Sequence, residues 1–180
     1  MTQIKGRVYP LVFAALCLTL AFVLPYLTGQ IPEIGQVLSP MHIPVFLCAL
    51  SVGPWYGLAV GAIAPLLRSL LVGMPPLYPM ASAMAFEMAA YGLVAGLALR
   101  WLKQGNRTLR VYAALLIAMV IGRFVYGAAM YLMLMAKGQP YTFAAFFTGT
   151  FVKALPGIFL HLAVVPPIVV LLDDKKLTRT

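Results

Sequence analysis

Four charged side chains stand where this chain is least able to accommodate them. Arg68, Glu87, Arg123 and Lys153 each lie inside a long run of hydrophobic residues. A charge deep in a bilayer costs roughly 2.5–3.5 kcal/mol even on insertion scales, so such residues face a cavity or one another. One solution is an internal ion pair, such as Glu87 with Arg123. It leaves two cations over, and a buried cation without a partner is costly. The other solution is a bound anion, such as a substrate carboxylate, that balances the excess. Arg68 also has the option of snorkelling to the outer headgroups, and Lys153 does so less easily. His42, close to Pro44, either hydrogen-bonds a ligand or is a satisfied core histidine. Tyr78, Tyr91, Tyr126, Tyr131 and Tyr141 are candidates to complete a pocket, or else interface anchors and packing residues. The stiff apolar stretch Gly73–Pro79 either caps a pocket or makes a tight turn. A lone His without a second ligand gives no metal site, so neither a metal nor a cofactor is expected.

The elements that position these residues are set by composition. Hydrophobic residues make up 63% of the 180 and charged residues 9%, against about 45–50% and about 25% in a soluble domain. So few charges cannot cover a water-facing surface, and lipid is the solvent for most of the chain. The apolar runs are long and do not alternate with polar residues, which excludes a barrel and leaves helices, because lipid requires each backbone group to be paired within its segment. The expectation is an all-α membrane protein: one domain over residues 1–180, a six-transmembrane-helix bundle. The spans fall at about Val8–Leu27, Val37–Val52, Pro54–Val72, Tyr78–Leu99, Leu109–Met135 and Phe143–Leu172. The second is short, contains Pro40 and Pro44, and is either re-entrant or kinked. The first follows Lys5 and Arg7 as a signal peptide would, but shows no small-x-small cleavage pattern and is read as a retained span.

Depth follows from a rise of about 1.5 Å per residue. Arg68 then lies about 6 Å from the outer end of its span, Glu87 about 13 Å, Lys153 about 15 Å and Arg123 about 18 Å. His42 lies in the outer half. Most of these residues, from different spans, thus reach compatible depths, as ligand sites between facing helices require. Orientation follows from basic residues in short loops. With six spans, Lys5, Arg7, Arg100, Lys103, Arg107, Arg110, Lys175, Lys176 and Arg179 share one side, and only Lys137 is a loop cation on the other. Both termini are therefore expected to be cytoplasmic. The net charge of +9 is explained by this topology, and nucleic acid is not expected as a partner. The tail Asp173-Asp174-Lys175-Lys176 reads as a solvated membrane stop.

Small residues recur every four positions. Gly53, Gly57 and Gly61 form such a stripe on the third span, and Ala81, Ala85 and Ala89, then Gly92 and Gly96, form another on the fourth. These stripes either let helix backbones approach within the bundle or offer a docking face to another membrane subunit. Ala15 with Thr19, or Cys17 with Ala21, gives a weaker stripe on the first span. Cys17 and Cys48 otherwise read as packing residues.

No Gly-rich stretch ends in Lys-Ser or Lys-Thr, so any ATP is hydrolysed by another chain. No Gly-x-Ser-x-Gly, His-Glu-x-x-His or acidic cluster is present, and an enzyme is not expected. The stretch from Ser39 to Arg100 resembles the substrate-binding membrane subunits of energy-coupling factor (ECF) transporters, bacterial vitamin importers of the ABC class. The resemblance rests on His-Ile-Pro at 42–44, the glycine stripe from Gly53 to Gly61, and Phe-Glu-x-x-x-Tyr-Gly at 86–92. It implies a multi-pass protein of the bacterial plasma membrane that binds a vitamin or related nutrient from outside. It further implies docking, through a small-residue face of the first span, onto a transmembrane coupling subunit with two cytoplasmic ATPase subunits, and toppling to release cargo. The family's usual Ala-x-x-x-Ala is met here only approximately, by Ala15 and Thr19 or Cys17 and Ala21. The excess of buried cations favours an anionic cargo such as pantothenate. Folate, lipoate and a queuosine precursor stay open, as does neutral pyridoxine if the charges pair internally. The alternative is a stand-alone secondary transporter or channel with Glu87 as proton carrier, although no inverted repeat is evident.

Overall fold

The computed structural model describes residues 2–28, 39–139 and 155–177, and no strand occurs among them. Helix α1 (Thr2–Val23) continues as a 3-10 helix over Leu24–Thr28. It is followed by α2 (His42–Val52), α3 (Pro54–Val72), a π-type turn (Leu77–Ala81), α4 (Ser82–Trp101), α5 (Arg107–Ala136) and α6 (Leu155–Leu177). Among the described residues, five helical segments are long and apolar enough to cross a membrane: Val8–Tyr26, Pro54–Val72, Leu77–Trp101, Arg107–Ala136 and Leu155–Asp173. The protein is a multi-pass all-helical membrane protein. Leu70, Leu71, Leu132, Phe159 and Leu171 are among the large apolar side chains on its outside, where lipid replaces water.

The expected second span requires correction. The described helix there is only His42–Val52, about 16 Å long at 1.5 Å per residue, half of a hydrocarbon core about 30 Å thick. Proline explains its start. Pro44 falls in the first turn, where its missing N–H costs nothing, and Pro40 lies in the turn before it. At its other end α2 passes into α3 through Gly53 alone, at φ 123° and ψ 169°, with Pro54 opening α3. A side chain is disfavoured there on two counts: the positive φ, and the Arg100 guanidinium 2.9 Å from where a Cβ would stand. The expected third span coincides with α3, and the fourth and fifth agree with α4 and α5 to within two residues, the turn included. For the sixth, α6 runs on to Leu177, while its expected beginning from Phe143 lies outside the described residues.

The glycine stripes join α3 to α4. A Cβ on Gly92 would strike the backbone of Gly57, and one on Gly61 would strike the carbonyl of Met88. One on Gly96 would stand 2.6 Å from the Pro54 Cα. Of the two uses open to these stripes, they serve internal packing: the helices meet backbone to backbone, and Gly57 also makes room for Ala49 on α2. The α4–α5 contact is similar at one point, where the Tyr91 ring lies against Gly122. Around these contacts runs a core that includes Val45, Phe46, Met88, Val111, Leu115 and Val165.

Contacts also align the helix ends. Arg107 at the start of α5 binds Asp173 near the end of α6, with its NH2 2.6 Å and its Nε 2.7 Å from Oδ2. Asp173 thus clips two helices together rather than only marking a solvated stop. Arg110 donates to the carbonyl of Leu99 at 3.2 Å. The α2–α3 hinge, the α4–α5 loop and the end of α6 therefore share one basic end of the bundle. At the opposite end of α3, Arg68 reaches α1. Overpacking a core site costs about 1–3 kcal/mol, so Gly92→Ala should lower unfolding stability in detergent by that amount. Leu70→Ala, on the lipid side, should leave it nearly unchanged, and thermal unfolding of the two variants checks the contrast.

Candidate functional site

Four helices bring polar side chains to nearly one level. Measured along each helix from the basic end, His42 lies about 16 Å from Gly53, His161 about 18 Å from Asp173, and Glu87 and Arg123 about 20 Å from Arg100 and Arg110. All four are buried: His42, Glu87 and His161 are each 2% exposed and Arg123 is 9% exposed. The half-length α2 explains how His42 reaches this level. The helix starts there, and helix starts carry partial positive charge, which suits a neighbouring carboxylate.

Glu87 is the centre of the group. Its Oε1 accepts the Tyr91 hydroxyl at 2.7 Å and stands 2.9 Å from Arg123 NH1. Glu87 and Tyr91 are one helical turn apart on α4 and so share a face. Gly122, just before Arg123, leaves the space that the Tyr91 ring fills. The internal ion pair named from the sequence as one solution for the buried charges is therefore present. On the other side of the carboxylate, His42 Nε2 lies 3.9 Å from Oε2, beyond hydrogen-bond reach.

Two imidazoles converge on one carbonyl. His42 Nδ1 and His161 Nε2 are each 3.1 Å from the Ser39 oxygen, which also accepts the His42 backbone N–H at 3.1 Å. Ser39 adopts φ 46°, a left-handed conformation uncommon for a residue with a side chain. The rings of His42, His161, Tyr91 and Phe46 pack around this point at centroid distances from 5.1 to 5.8 Å. His161 was not singled out from the sequence. The signal was present: it is the only histidine besides His42, and it sits in the last apolar run at the level of Glu87.

Not all candidate residues join the centre. Tyr126 is half-buried one turn beyond Arg123 on α5. Arg68 stands apart: its NH1 donates to the Phe22 carbonyl at 3.3 Å and its guanidinium lies 5.3 Å from the Tyr26 ring centroid. It is 6% exposed, so it ties α3 to α1 rather than snorkelling. Tyr78 also stands apart. Its hydroxyl donates to the Met133 carbonyl at 2.6 Å and its ring lies 4.7 Å from Lys137 Nζ, joining the π-type turn to the end of α5. Lys153 and Tyr141 lie outside the described residues. On α1 the two small-residue pairs divide: Cys17 and Ala21 are buried in the core, whereas Ala15 and Thr19 face outward. Cys17 and Ala21 are thus unavailable to a partner. Among the described residues no group of three or more His, Cys, Asp or Glu side chains is arranged to hold a metal ion.

Breaking a buried pair by removing one member costs about 3–5 kcal/mol, while replacing both members by apolar groups is often neutral. Glu87→Gln should therefore destabilise the detergent-solubilised protein by about that amount. Glu87→Leu combined with Arg123→Met should recover most of the loss, and a double-mutant cycle on thermal unfolding measures it.

The sequence profile of one family matches residues 10–169, under the description ECF transporter, substrate-specific component. Comparisons with curated proteins and with solved structures returned no match. Substrate-specific components bind a small-molecule substrate on behalf of a transport module and are not enzymes. A polar centre enclosed by membrane-spanning helices accords with that role, and the match covers most of the chain: the protein belongs to the family of ECF transporter substrate-specific components.

Proposed function

We propose that this protein captures a small polar nutrient of the vitamin class from outside a bacterial cell, at the centre formed by Glu87, Arg123, His42 and Tyr91. It then hands the cargo to an ATP-driven module, a transmembrane coupling subunit with two cytoplasmic ATPases. One observation carries the reading. Two buried polar atoms of opposite kind flank Glu87, and neither has a hydrogen-bond partner among the described residues: His42 Nε2 and Arg123 Nε. Buried polar atoms are almost always satisfied, and a bound cargo satisfies both. The basic end of the bundle is assigned to the cytoplasm by its Arg and Lys residues, which puts both termini there, makes the chain a six-helix bundle with α2 as the incomplete member, and directs the start of α2 toward the outside. Docking is assigned to the Ala15–Thr19 face of α1, which is exposed among the described residues.

The charge of the cargo follows from the ion pair. Glu87 cancels Arg123, and Arg68 is engaged by α1, so the described centre is neutral and suits an uncharged polar molecule. An anionic cargo, pantothenate among them, is a second reading. It is favoured by the Arg123 Nε–H, a donor in need of an acceptor oxygen, and by Lys153 if the sixth span begins as its sequence suggests. A stand-alone proton-coupled transporter draws support only from Glu87, which is already committed to Arg123 and Tyr91.

Mass spectrometry of small molecules that copurify with the full chain identifies the cargo. Arg123→Lys keeps the charge opposite Glu87 but removes Nε and the guanidinium fork. It should weaken cargo binding by about 1.5–3 kcal/mol, the value of a hydrogen bond to a charged group, with little loss of folding. Lys153→Ala should do the same if the cargo is anionic. Unchanged affinity in both variants rejects this centre as the cargo site, and failure to copurify ATPase subunits on coexpression rejects the handover.

A further inference from the structure

The geometry between His42 and Glu87 points to a more specific cargo chemistry, and we infer that the cargo presents a nitrogen with two N–H donors, a primary amino or amide group, to His42 Nε2 and Glu87 Oε2 together. The inference rests on the reading that this centre holds the cargo.

The chain of reasons begins at Ser39. Its carbonyl oxygen can only accept, yet His42 Nδ1 and His161 Nε2 both lie 3.1 Å from it. Each of those nitrogens must therefore carry its proton. In a neutral His42 the lone pair then falls on Nε2, which makes that atom an acceptor. It faces a carboxylate, which also only accepts. Two acceptors stand 3.9 Å apart with nothing among the described residues donating to the imidazole one. Both atoms are in the interior, on residues each 2% exposed, where a missing hydrogen bond is most costly.

The spacing selects the missing group. An atom placed about 2.8–3.0 Å from each acceptor sees them about 80–90° apart, so two hydrogens on one nitrogen, about 107–120° apart, each point within about 20° of an acceptor and can bond both. A single hydroxyl hydrogen points at only one of them. An aliphatic or aromatic amino group, or a primary amide, fills both. Other groups facing this spot fit the same polarity. Arg123 and the Tyr91 hydroxyl already occupy Glu87 Oε1, so Oε2 is the oxygen turned toward His42. Tyr91 and His161 flank the His42 imidazole with their rings, and Phe46 packs against both.

The test is nitrogen NMR of the full chain, with histidine labelled at both ring positions, in detergent or nanodiscs. The probes are 2-aminopyrimidine and pyrimidine, which differ only in the amino group. His42 should show the neutral tautomer protonated at Nδ1. Its Nε2 signal should move on titration with 2-aminopyrimidine and stay still with pyrimidine, and Glu87→Gln, whose own amide can donate to Nε2, should abolish the response. A doubly protonated His42, an Nε2 signal already hydrogen-bonded and unmoved by either probe, or equal movement with both would each overturn the inference. Equal movement with both would leave the centre standing as a cargo site. If neither probe acts and Arg123→Lys also leaves retention of copurifying molecules unchanged, the cargo site itself falls.

Discussion

A carboxylate sealed inside an apolar bundle has to be met by a positive group, and the arrangement of this protein follows from how Glu87 is met. Arg123 approaches from α5 and Tyr91 from one turn along α4. The Arg123 contact requires α4 and α5 to lie close, and Gly122 permits this by yielding space to the Tyr91 ring. The remaining side of the carboxylate is turned to α2, which begins at that level instead of crossing the whole membrane. The pair is not a source of great stability in itself, since desolvation offsets much of the attraction. Its effect is to fix the registry of the helices: an axial slip of one turn would separate the two charges by about 5.4 Å.

Much of the scaffold was legible in the sequence because lipid simplifies the code. Long apolar runs mark spans, and the expected boundaries of the third, fourth and fifth agree with α3, α4 and α5 to within a few residues. The glycine stripes announced a close helix contact, although spacing alone does not say whether the neighbour is another helix of the same chain or a separate subunit. The Glu87–Arg123 pair was likewise foreseen as one of two solutions, because so few charges were available to satisfy each other.

The rest was hidden for physical reasons. Hydropathy measures the apolar length of Val37–Val52 but not where helical backbone begins, and Pro40 with a left-handed Ser39 delays that start to His42. Arg68 is a pocket candidate by charge, shallower than Glu87, but residue type and depth carry no azimuth, and its side chain turns to the Phe22 carbonyl and the Tyr26 ring instead. Tyr78 was drawn to α5 in the same way. His161 went unnoticed because its partner is a main-chain carbonyl 122 positions away in sequence, and backbone acceptors leave no trace in residue identity.

The α3–α4 seam has a further consequence. From the basic end up toward the level of Glu87, the two helices touch main chain to main chain through Gly57, Gly61, Gly92 and Gly96, and the hinge at Gly53 is held beside Arg100. At these positions no side chain stands between the two helices. Parting α3 from α4 would break a continuous backbone contact, so the two helices can shift only as one rigid pair.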